Sequence, residues 1–230
     1  MGKMEIFTVK ATAKKLARRK LIAKIASIVT LISITILLGF YGTVSFASNL
    51  GNFTINVVDE PNIRTISLAM DKEFTDPRTV LVCDPIKSMD NITETMIDED
   101  VDNIDGNHNG ENYIAITFYL KNTGKVPINY ERDIQILEAT KGADEAIRIK
   151  LYKNGVAETY AKPKKGTQEP EENTTKFQSI DKVFTDERVN LLAGDIDKYT
   201  IVIWLEGNDP ECIDNIKSGN VKMKMNFEII

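Results

Sequence analysis

Asp105-Gly106-Asn107-His108-Asn109-Gly110 is the stretch whose residue types and spacing point most directly to chemistry. Oxygen-bearing side chains stand at its first, third and fifth positions, and glycine at its sixth, as in the opening of a calcium loop. Hard oxygen ligands suit that ion. The twelfth position, where such a loop carries a bidentate carboxylate, is Ile116. Asp100, Asp102 or Glu111 would have to fold back to complete the shell. The ligand set to test is therefore Asp100, Asp102, Asp105, Asn107, Asn109 and Glu111, with calcium as the cofactor. Two other readings stand beside it. Asn-Gly and Asp-Gly pairs make turns without metal, and an acidic patch can meet a partner. Asp90 to Glu111 carries eight carboxylates, and no Lys or Arg occurs from Ser88 through Leu120. Uncompensated carboxylates repel, so the segment reads as a mobile loop that needs a cation or full solvation.

His108 is the sole histidine. That leaves no paired-histidine zinc motif, and a Ser-His-Asp triad would have to work from a mobile acidic loop. No glycine-rich phosphate cradle or dinucleotide fingerprint is present. Carboxylate pairs are plentiful, so residue type alone leaves glycosidase chemistry open, but nothing marks one pair above the rest. The chain is expected not to be an enzyme.

Cys83 and Cys212 are the whole thiol inventory. Each follows a strand-like run and sits beside an acidic residue and a proline. In an oxidising compartment they suit a disulfide, worth about 5 kcal/mol for so long a loop in the chain-entropy model. The alternative is two separate buried thiols. Acidic neighbours raise a thiol's pKa, which argues against a catalytic cysteine.

Strand patterns would position these residues. Period-two alternation or short apolar runs occur at 52–58, 64–70, 79–83, 112–122, 128–139, 199–205 and 220–230. Residues 146–161 read as a hairpin turning at Asn154-Gly155. Single helical turns fit 141–147 and 210–219, and 161–175 reads as a surface loop. Many short strands without βα alternation predict an all-β fold, an antiparallel two-sheet sandwich of jelly-roll or immunoglobulin type. Trp204, the only tryptophan, would fill the space between its sheets.

The front of the chain differs in kind. Residues 1–24 carry eight basic residues and one acidic one, a net +7; the whole chain carries −5, so the remainder carries −12. Residues 25–47 are 23 without a charge, enough helix to cross a bilayer core of roughly 30 Å. The division expected is a basic cytoplasmic arm at 1–24, a transmembrane or signal helix at 25–47 and an exported domain at 48–230. Ser45-Phe46-Ala47 allows cleavage between Ala47 and Ser48. The length of the run favours a retained anchor; Gly39 and Gly42 favour a cleaved segment. Either way the acidic body leaves the cell, and its charge disfavours nucleic acid as a partner.

The segment "GFYGTVSFASNLGNFT" resembles the export signals cut by the SipW-type signal peptidase of Gram-positive bacteria. "IVIWLEGNDPEC" (201–212) resembles the Trp strand and acidic turn of exported proteins with such signals, the TasA/camelysin group. The two stretches cover about a tenth of the chain. The resemblance implies a jelly-roll-like sandwich, a surface or matrix location, and fibre assembly in which an N-terminal strand is donated to the next subunit. Camelysins have been described as proteases, and no metal-ligand cluster in this sequence supports that activity. The long basic arm departs from the pattern and suits a permanent anchor.

The expected role is structural, adhesive or matrix-forming, with the membrane, further copies or other envelope proteins as partners. A surface-displayed binding module with a calcium-organised acidic loop comes second, and a secreted hydrolase third.

Overall fold

The computed structural model describes residues 15, 17–35, 53–58 and 65–230. The chain divides into two units, Met1–Asn49 and Leu50–Ile230.

In the first unit, residues 15 and 17–35 are helical and exposed. The hydroxyls of Ser27, Thr30 and Thr35 each donate to a carbonyl one turn back, at 2.9 Å, so the helix meets these donors itself. Among the described residues no helix is long and apolar enough to cross a membrane. The expected span is described only as far as residue 35, and the cleavage position at Ala47 and Ser48 lies outside the described residues.

The second unit is nearly all β. Its strands are β1 (Phe53–Val58), β2 (Ile66–Ala69), β3 (Val80–Val82), β4 (Gly106–Asn107), β5 (Tyr113–Asn122) and β6 (Ile128–Ala139). They continue as β7 (Ile147–Lys153), β8 (Val156–Ala161), β9 (Thr175–Lys176), β10 (Lys182–Leu191), β11 (Ile196–Leu205) and β12 (Val221–Ile229). One sheet runs β10-β6-β12-β1-β3; the other runs β2-β5-β11-β7-β8-β9, with β4 also on β5.

Purely antiparallel sheets were expected, and here the structure corrects the sequence reading. β1 pairs parallel to β12, and β9 parallel to β8. Both sheets are therefore mixed. In the five-stranded sheet the cause is connectivity, because β1 and β12, the first and last strands of the unit, run side by side in the same direction.

Alternation places the core. Ile114, Ile116, Phe118 and Leu120 of β5 share one buried cluster with Ile201 and Ile203 of β11, and with Met223, Met225 and Phe227 of β12. The two sheets meet there. Phe227 of the five-stranded sheet packs edge-on to Phe118 at 6.0 Å and tilted to Tyr199 at 5.3 Å. A polar bridge crosses the same layer, with Tyr130 Oη donating to Asp197 at 2.7 Å. Asn154 and Gly155 have φ of 50° and 84°, as the hairpin between β7 and β8 requires.

Trp204 lies elsewhere. β11 presents Tyr199, Ile201 and Ile203 to the inter-sheet core and Val202 and Trp204 to the opposite side. There Trp204 is buried with Ile92, Val101, Tyr113 and Ala115. The expectation that it fills the space between the sheets is thus overturned; it sits one position out of phase with that core.

The expected Cys83–Cys212 disulfide does not form, and both thiols are free. Cys83 follows the edge strand β3 and is buried in the inter-sheet core, its Sγ 3.9 Å from Asn109 Oδ1. Cys212 is half-buried in the acidic turn beyond β11. Burial, with Asp84 nearby, pushes the Cys83 thiol up to about 12. Burial and the charges of Asp209 and Glu206 also raise that of Cys212.

Candidate functional site

Tyr113, Ala115, Val202 and Trp204 lie on the outer face of the seven-stranded sheet, and such a face needs a cover. The acidic segment supplies it. Ile92 and Val101 press onto these residues. A parallel bridge joins Ile92 to Glu206, with the Ile92 amide donating to Leu205 O at 2.9 Å and Gly207 N to Ile92 O at 2.8 Å. The segment expected to be a mobile loop is therefore built into the sheet.

Its carboxylates find donors on that face. Tyr113 Oη donates to Asp98 and Tyr119 Oη to Asp105, each at 2.7 Å. Thr200 Oγ1 donates to Asp102 at 2.7 Å, and Lys198 Nζ stands 3.4 Å from the same carboxylate. Lys150 Nζ meets Glu94 at 2.6 Å. Burial first, and then the hydrogen bond to a carboxylate, raises the pKa of both tyrosines. Hydroxyls and amines from β5, β7 and β11 thus answer charges that no Lys or Arg within the segment can.

Five of the six residues of the sequence-derived calcium set take separate partners. Gly106-Asn107 forms β4 against β5. Asn107 Oδ1 accepts from Asp84 N at 3.1 Å, and Asn109 Oδ1 from Ala115 N at 2.9 Å. Asp105 is taken by Tyr119 and Asp102 by Thr200. Asp100 and Glu111 are exposed, and Asp100 Oδ1 receives a long bond from Asn103 Nδ2 at 3.4 Å. His108 ties the segment together, its Nδ1 lying 2.8 Å from Gly106 O and its Nε2 2.9 Å from Val101 O. Glycine is required at 110, where a Cβ would come within 2.2 Å of the Tyr113 ring.

The carboxylates that do converge are others. Among the described residues, Glu171, Asp209 and Glu211 bring one oxygen each within 4.8 Å of one another. Asp209 and Glu211 lie in the turn that ends β11. Trp204 Nε1 donates to Glu206 Oε2 at 3.0 Å, and Glu206 Oε1 accepts the Asn208 amide at 3.1 Å, so the tryptophan anchors the turn. Arg148, paired with Trp204 across β7 and β11, places its guanidinium 2.7 Å from Asp209 Oδ2 and 3.9 Å from Glu171 Oε2. Beside this group a cleft of about 270 Å³ opens, lined by Thr93, Arg148, Glu171, Asn173, Trp204 and Glu206 among others. The acidic cover, the 161–175 loop and the turn after β11 all border it. The sequence singles out the turn and the loop separately; no spacing joins Arg148 or Glu171 to Asp209.

Comparison with known proteins adds little. No family model and no curated protein matches the chain. Among solved structures, a β-glucosidase from Kluyveromyces marxianus in complex with glucose is similar to 74% of this chain at 10% identity, with a TM-score of 0.23. This chain spans 17% of that one. At such a score the likeness supports no statement about fold or activity.

Proposed function

We propose that this chain is an exported, envelope-associated β-sandwich with a structural role in adhesion or matrix assembly. Residues 25–47 attach it to the membrane or are removed by cleavage after Ala47. The observation that carries the reading is the position of β1. This strand begins five residues after Ser48, buries Phe53 and Ile55 completely and Val57 almost so, and runs parallel to β12 from Phe53↔Met223 to Val58↔Glu228. Its other neighbour, β3, has three residues. Removing β1 would open an apolar slot beside β12, which the same strand of a second copy fits by main-chain pairing. Strand donation between copies then gives a fibre.

The test is the mature N-terminus and fractionation of the protein made in its own host. A start at Ser48 together with fibres by electron microscopy supports strand donation. An intact Met1 in the membrane fraction removes donation and leaves an anchored sandwich. Full-length protein dissolved in the cytosol contradicts the reading as a whole.

A second reading, a surface-displayed binding module, is favoured by the cleft beside Trp204, whose lining includes Glu94, Glu171, Glu172 and Glu206 against Arg148. Such a lining favours cationic ligands. Binding that survives Glu171→Gln with Glu206→Gln would exclude the cleft as its site.

A further inference from the structure

Lys162 and Asp144 meet almost out of reach of water. The Lys162 side chain is 8% exposed and that of Asp144 10%, and the Lys162 amine contacts an Asp144 carboxylate oxygen. Glu145 Oε1 accepts from the same nitrogen at 2.9 Å. Ala143, Ala146 and Ala161, their neighbours in the chain, are buried. Phe177 is buried as well, and its amide donates to Ala161 O at 2.8 Å. Taking an ammonium and a carboxylate out of water can cost more than their attraction returns. The same two groups joined as a neutral amide would not carry that cost.

The three residues stand at the open end of one hairpin. Asp144 and Glu145 belong to the short helical turn Ala143–Glu145 that leads into β7, and Lys162 follows β8. Arg148↔Ala161 is the last pair of the β7–β8 ladder, and Asn154-Gly155 turns its other end. A link between 144 and 162 would close this hairpin into a ring. The sheet edge gains from such a tie, because the outer neighbour of β8 is β9, only two residues long.

We propose that Lys162 and Asp144 join in an intramolecular isopeptide bond, with Glu145 as the proton carrier. Burial works to lower the Lys162 pKa, and the bonds to Asp144 and Glu145 outweigh it. The reactive form is therefore the minor one, in which a proton has passed from Nζ to the Asp144 carboxylate. The step happens once per chain, so a minor form suffices. Nζ attacks Asp144 Cγ and the N–C bond forms. Glu145 takes a proton from Nζ and returns it to the departing oxygen, the Cγ–O bond breaks, and water leaves. The products are one amide and one water, and nothing is oxidised or reduced. Contact between amine and carboxyl supplies the effective concentration that the free groups lack in solution. Exclusion of water disfavours the return. In an adhesive or matrix protein such a tie resists pulling on the sheet edge. It needs only the sandwich, so it stands whether the front of the chain is cleaved or retained.

Full-length protein in detergent is weighed intact by mass spectrometry after prolonged incubation and then digested with trypsin. The expected mass is that of the sequence less one water. Peptides 142–148 and 154–164 should run as one branched species, with fragment ions placing the link between Asp144 and Lys162. Lys162→Arg, which keeps the charge, and Asp144→Ala should each restore the full sequence mass. Glu145→Gln should slow the loss of water by about a hundredfold or more. Full sequence mass and separate peptides in the parent would overturn the bond and leave an ordinary buried ion pair. So would a water loss that persists in Lys162→Arg, which would place the dehydration elsewhere, as at Asp105-Gly106.

Discussion

The inner face of the seven-stranded sheet presents Ile116, Phe118, Ile201 and Ile203 to the opposite sheet, while its outer face presents Tyr113, Ala115, Val202 and Trp204 to the acidic segment. Among the described residues, the inner cluster holds 29 buried residues and the outer one 6. Apolar burial therefore contributes far more at the first interface than at the second. The outer face adds what the inner one mostly lacks, carboxylates held by tyrosine, threonine and lysine donors. Two closures of one sheet should then fail differently.

Truncating the inner face should have the largest effect. Phe118→Ala removes a ring stacked on Tyr199 at 5.4 Å and set against Phe227, and should lower stability by about 3–5 kcal/mol in chemical denaturation. A loss no larger than that of an outer-face change would break the contrast. Gly110→Ala comes next. Its Cβ would overlap the Tyr113 ring, and the ring would have to move out of the outer cluster together with its bond to Asp98. The expected loss is about 1–3 kcal/mol, with near-ultraviolet circular dichroism of Trp204 changed. Tyr119→Phe should cost about 1 kcal/mol by removing one donor to Asp105, and denaturant titration reads it directly.

The smallest effect has the opposite sign. Because the Glu211 carboxyl is raised in the folded state, its contribution is present below the unfolded pKa and is lost as pH rises through the folded one. Glu211→Gln should therefore stabilise at pH 7, by about 0.5 kcal/mol or less after solvent screening, and do nothing at low pH. Asp197 on the inner side behaves in the reverse way. Burial works to raise its pKa, but hydrogen bonds from Asn154 and Tyr130, with Lys153 and Arg188 nearby, lower it. Its contribution is present above the unfolded value and is lost only as pH falls through a lower folded one. A melting curve taken against pH for both variants, Glu211→Gln and Asp197→Asn, sharpens the comparison.

The sequence made much of the fold legible where periodicity decides it. The alternation at 112–122, 128–139 and 220–230 matches β5, β6 and β12, and Asn154-Gly155 marks the hairpin. β10 was not legible. "KVFTDERVNL" buries Val183, Phe184 and Leu191, and its edge position leaves the charged middle in solvent, so no apolar period remains to read. β4 and β9 are two residues each and exist through their partners. The parallel pairing of β1 with β12 depends on topology, which spacing does not encode. Trp204 was misplaced because β11 is buried on both faces, and a continuous apolar run carries no phase.

The site was legible only in pieces. The sequence marks the turn "EGNDPEC" as unusual and the segment 90–111 as acidic. It does not reveal that Tyr113, Tyr119 and Thr200 supply the donors, because they alternate with core residues on β5 and β11 and read as an ordinary outer face. The calcium-loop pattern at 105–110 has the right side chains, yet Asn107 and Asn109 spend their oxygens on backbone amides of the protein itself. Arg148 reaches Asp209 only because β7 lies against β11.

The claim that the acidic segment closes the sheet is tested most directly by native-state hydrogen exchange at single-residue resolution. The amides of Ile92, Gly207 and His108, bonded to Leu205 O, Ile92 O and Ala115 O, should exchange slowly, within reach of the central amides of β5. Exchange of those three at the rate of an unprotected chain, with β5 still protected, would mean that the segment is a solvated loop and the outer face is open.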